Sequence, residues 1–116
     1  MIIEPGDAML ISHRRLFSDD TPRYFVGTVD AYQDGLVRIT GTTWLHDLIT
    51  AQMHHKEDKR TKVIALTSGT FIAYLLPSGT NTEHLRVVYE QQHYFLCDEG
   101  GFKMDISDRV GHRSQT

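Results

Sequence analysis

Hydrophobic and polar residues alternate along much of the chain, and the alternation is clearest between Tyr24 and Ile39. In YFVGTVDAYQDGLVRI, Phe25, Gly27, Val29 and Ala31 fall on one side of an extended strand. Tyr24, Val26, Thr28 and Asp30 fall on the other. Asp34-Gly35 suits the positive φ angles of a tight hairpin turn, after which Val37 and Ile39 point in and Arg38 and Thr40 point out. Upstream, Pro5-Gly6-Asp7 marks a turn before a strand from Ala8 to Phe17, and the polar run 18–22 ends that strand. In the middle, WLHDLITAQM (44–53) fits either a short helix or an extended strand. HHKEDKR (54–60) has no apolar anchor and predicts an exposed loop. Beyond it, KVIALTSGTFIAYLLP divides into two strands around Ser68-Gly69. LRVVYEQQHYFLCDEGGFKMDIS divides into two or three, with turns at Gln91-Gln92 and 98–101.

The pattern predicts a mainly β chain with little helix: a single barrel-like domain over residues 1–107 and a flexible tail over 108–116. The inward phases predict a core of Phe25, Val29, Val37, Ile39, Ile64, Leu66, Phe71, Ile72, Leu75, Val87 and Leu96.

Two segments carry a family resemblance. FVGTVDAYQDGLV (Phe25 to Val37) resembles the first motif of the Sm/LSm family in its early glycine and its apolar positions. ALTSGTFIAYL (Ala65 to Leu75) resembles the second motif, in which a small glycine turn joins the last two strands. The polar run 54–60 stands where that family has a variable loop. The resemblance implies a small SH3/Sm-like barrel with strongly bent strands. The residues after Pro77 have no counterpart in a minimal domain of that kind, so they imply an added C-terminal β-hairpin or an oligomer contact. The family's base-contacting Asp-x-x-Asn pattern is absent after Gly27, and Ser68 stands in place of its arginine. The resemblance therefore implies the fold and not those contacts.

Composition narrows the function classes. The 116 residues carry a formal net charge of −3, so any attraction to nucleic acid must come from a local basic surface. No apolar run is long enough to span a bilayer, and MIIEPGDAML lacks the basic and apolar regions of a signal peptide. One cysteine, Cys97, permits no intrachain disulfide and fits a cytoplasmic setting. It follows Tyr94-Phe95-Leu96 in an apolar strand. His93 would lie roughly 13 Å from it at strand rise, so a buried structural thiol is expected rather than a nucleophile.

The remaining candidates are few. His46, Asp47 and His54 are the one grouping that suggests a metal, and they motivate an alternative reading as a small metal-assisted enzyme. Against it, no metal-ligand spacing of the H-x-x-x-H or C-x-x-C kind occurs. Acidic pairs sit at turns, where aspartate caps local amides. No phosphate-loop or serine-hydrolase motif is present, and no cofactor is implied. Arg14, Arg15, Arg23, Tyr24, Arg38 and Lys62 are the candidate nucleic-acid contacts, with Lys56, Lys59 and Arg60 extending a positive rim. The expected function is a non-enzymatic binding or assembly module. It self-associates into a homo-oligomer, takes a protein or single-stranded nucleic acid as ligand, and has no membrane partner.

Overall fold

The structure is a computed structural model that describes residues 2–13 and 21–107. The predicted extension of the first strand through Phe17, the candidates Arg14 and Arg15, and the predicted tail over 108–116 lie outside the described residues. Within them the chain is all β. Eight strands run in order: β1 (Ala8–His13), β2 (Arg23–Gln33), β3 (Leu36–Asp47), β4 (Gln52–Ala65), β5 (Phe71–Leu75), β6 (Arg86–Glu90), β7 (His93–Cys97) and β8 (Lys103–Asp105). They form a five-stranded antiparallel sheet, ordered β4-β3-β2-β1-β5, and a three-stranded antiparallel sheet, ordered β6-β7-β8. No helix is long and apolar enough among the described residues to cross a membrane.

The turns follow their residues. Asp34 (φ 51°) and Gly35 (φ 83°) close the β2–β3 hairpin, and Gln91 (φ 51°) and Gln92 (φ 68°) close β6–β7. The 44–53 segment is neither a helix nor one strand but the end of β3, a turn over 48–51 and the start of β4. β3 runs to Asp47, and the Asp47 carboxylate accepts the Ile49 amide at 2.9 Å and the Thr50 amide at 3.3 Å to turn the chain into β4.

The run 54–60 is not a loop but part of β4, the exposed edge of the large sheet. It reads as a loop because an edge strand can be charged on both faces, and its ladder to β3 is carried by backbone rather than by apolar side chains. Register irregularities between Val29 and Ala31 on β2 and between Gly41 and Thr43 on β3 bend this long ribbon. Gly27 and Gly41 face each other across the bend.

Curvature brings opposite edges of the large sheet to one core. Met9, Ile11, Phe25, Val29, Val37 and Ile39 pack with Ile64 from β4, and Phe71 from β5 packs against the same cluster. This inner core contains most of the predicted set. Ile72 (47 % exposed) and Leu75 (48 % exposed) depart from it, because β5 is the other edge and offers neighbours on one side only.

Part of the outer face is buried as well, which alternation alone does not predict. Ala8, Leu10, Tyr24, Val26 and Trp44 pack with Leu76, Leu96 and Ile106 in a second core under the small sheet. The residues after Pro77 thus form three strands rather than one added hairpin, and they cover their own chain. Tyr94 ties the layers together by donating its hydroxyl to the Ala51 carbonyl.

Candidate basic cleft

The inner face of the large sheet changes character along its strands. At one end it is the apolar core. At the other it opens into a cleft of about 640 Å³ lined by Arg23, Lys56, Arg60 and Lys62 above Ile11, Phe25 and Phe71, with His13, Thr43 and Leu45 at its sides. Register explains the grouping. Arg23 pairs with Leu45 on β3, Lys62 with Ile39, Arg60 with Gly41 and Lys56 with Thr43. Those β3 partners share one parity, so their cross-strand neighbours share one face. The irregularity that skips residues 57–59 on β4 keeps Lys56 on the same side as Arg60.

Geometry within the cleft favours uncompensated positive charge. The Lys62 ammonium sits 4.6 Å from the centre of the Phe25 ring. Partial burial, and then the charges of Arg23 and Arg60, pull the Lys62 pKa below its ordinary value. An anion would relieve that repulsion. The Arg60 guanidinium has a carboxylate neighbour, with its Nε donating to Asp58 at 3.0 Å. Both side chains are well exposed, so this pair neutralises little. His13 packs edge-on against Phe71 with ring centres 5.0 Å apart.

The structure brings three of the predicted contacts, Arg23, Tyr24 and Lys62, to one site, together with two members of the expected rim, Lys56 and Arg60. It separates others. Arg38 is exposed on the outer face, because Ile39 beside it shares the inner face with Lys62. Lys59 also leaves the rim and pairs with Glu83 at 2.5 Å. Tyr24 is 6 % exposed, and its hydroxyl donates to the Ile106 carbonyl at 2.7 Å, so its ring packs in the second core while the residue also borders the cleft. The Phe25 and Phe71 floor was legible only as core.

His46, Asp47 and His54 do not converge. His46 packs on Tyr94, with ring centres 4.7 Å apart, on the side of the second core. Asp47 and His54 approach to 3.6 Å on the opposite face, at an exposed turn. Backbone bonds from Ile49 and Thr50 are the main reason the Asp47 carboxyl titrates below its ordinary value, so its acidity is explained by capping the turn. Among the described residues, no group of three or more His, Cys, Asp or Glu side chains is arranged to hold a metal ion. Cys97 is buried, as a structural thiol would be.

No family model, curated protein or solved structure matches this chain.

Proposed function

We propose that the chain is a non-enzymatic binding and assembly module that holds single-stranded nucleic acid in the basic cleft and associates with further copies of itself. One observation carries the reading: four cationic side chains ring an apolar floor on one face of a protein whose net charge is negative. Arginine and lysine hold phosphates, and guanidinium planes together with an apolar floor accept unstacked bases. The cleft does not require a duplex groove. The strand order β4-β3-β2-β1-β5 and the bend at the Gly27–Gly41 pair support an SH3/Sm-like barrel as the frame. The lone buried cysteine supports a cytoplasmic setting.

Fluorescence anisotropy at low salt, comparing a labelled oligothymidine with an acidic peptide of equal charge, tests the ligand class. The oligonucleotide should bind at least about tenfold more tightly, the equivalent of one stacked base. Equal affinity, tighter binding of the peptide, or no oligonucleotide binding would overturn the nucleic-acid reading.

A further inference from the structure

The two edges of the large sheet are built differently. β4 is guarded: it carries Lys56, Glu57, Asp58, Lys59, Arg60 and Lys62, and its register is broken midway. Charges and bulges of this kind discourage a second strand from docking. β5, by contrast, reads Phe-Ile-Ala-Tyr-Leu with no charge, and Ile72, Tyr74 and Leu75 are 47 %, 41 % and 48 % exposed. Among the described residues, nothing pairs with its outer side.

The backbone phase of that edge can be read from one bond. The Leu76 amide donates to the Ala8 carbonyl at 2.8 Å. Antiparallel alternation then aims the backbone groups of Leu76, Tyr74 and Ile72 at β1, and those of Phe71, Ala73 and Leu75 outward. We infer that β5 docks antiparallel on β5 of a second copy, with the twofold axis at Ala73.

In that register the two Ala73 residues exchange both backbone hydrogen bonds, and Phe71 does the same with the partner's Leu75. Ile72 then lies beside the partner's Tyr74 on the outer face, and Phe71 beside the partner's Leu75 on the inner face. The segment is thus complementary to itself, aromatic against aliphatic across the axis, with no charge to repel. Such a contact is isologous and closes at two copies. A head-to-tail contact would instead set the charged β4 edge against this apolar one. The dimer would continue both large sheets as one, with the two basic clefts opening on the same side. The inference rests on the self-association half of the proposed function and is independent of what the cleft binds.

Analytical ultracentrifugation of the full chain tests it, with two variants. Ala73→Pro removes an outward amide without touching the bonds to β1, and Tyr74→Lys puts a charge beside the axis. Wild type should sediment at twice the chain mass, and each variant at the chain mass with an unchanged far-UV spectrum. Ala73→Cys should cross-link two chains on mild oxidation, since a hydrogen-bonded antiparallel pair places its Cα atoms about 5.5 Å apart, within disulfide reach.

A wild-type monomer without cross-linking by Ala73→Cys, a larger ring, or a dimer that survives both Ala73→Pro and Tyr74→Lys would overturn the inference. Oligonucleotide titration of monomeric Tyr74→Lys separates the two proposals, because binding there leaves the cleft reading standing whatever the dimer result.

Discussion

Gly41→Ala should cost about 3 kcal/mol or more and lower the melting temperature by roughly 12 °C or more for a domain of this size. A Cβ built at Gly41 would lie 1.9 Å from the Val26 carbonyl oxygen and 2.5 Å from the Gly27 Cα. From the other strand, a Cβ at Gly27 would lie 2.3 Å from the Thr40 carbonyl oxygen. These neighbours are backbone atoms in the ladder between β2 and β3, so no rotamer change relieves the clash. The strands would have to separate at the bend, between Val26 under one core and Ile39 in the other. Gly100→Ala serves as a control, because a Cβ there makes ordinary contacts of 3.6 Å or longer with the Asp98 carboxylate. Thermal unfolding followed by circular dichroism checks the pair. A Gly41→Ala protein melting within about 2 °C of wild type would mean that the two strands do not approach this closely.

The second large effect concerns the cleft. Neutralising Arg23 and Lys62 together, as Arg23→Gln with Lys62→Gln, should reduce the salt dependence of oligonucleotide binding by about 1.4 logarithmic units per decade of salt. Each single-strand phosphate that is no longer neutralised accounts for about 0.7 of that change. At 0.1 M salt, taking 1 M as reference, this amounts to roughly 25-fold in affinity. Both side chains are exposed at the cleft mouth, so the folded state should persist. Arg38→Gln removes the same kind of charge from the outer face and should change the slope little. If Arg38→Gln weakens binding as much as the cleft pair does, the ligand follows net charge and not the cleft.

Much of the fold was legible because its signals are local. Asp34-Gly35 announces a turn by its own backbone preferences, and Val37, Ile39 and Leu96 announce the core by parity. The second core was not legible. Tyr24 and Val26 have the outward parity of their strand, and nothing near them in sequence says that Leu96 and Ile106 will cover them. The same gap hid the packing of the Tyr24 ring in the second core. The small sheet covers those residues, and Ile72, Tyr74 and Leu75 remain outside it.

The cleft was half legible. Arg60, Lys62 and Ile64 share one parity, which places the basic side chains in line with the core as soon as the run 54–60 is taken as a strand. Lys56 shares that parity too, but a regular ladder would set Asp58 opposite Thr43; the irregularity at residues 57–59 sets Lys56 there instead, a tertiary feature that periodicity cannot anticipate.

The most direct test of the cleft is an amide chemical-shift titration of the 15N-labelled protein with a short oligothymidine at low salt. The account predicts that the residues that move cluster at Arg23, Phe25, Lys56, Arg60, Lys62 and Phe71, the mouth and floor of the inner face. Arg38, Thr40 and Thr61 on the outer face should stay in place. Shifts confined to those outer residues, or no shifts at all, would contradict it.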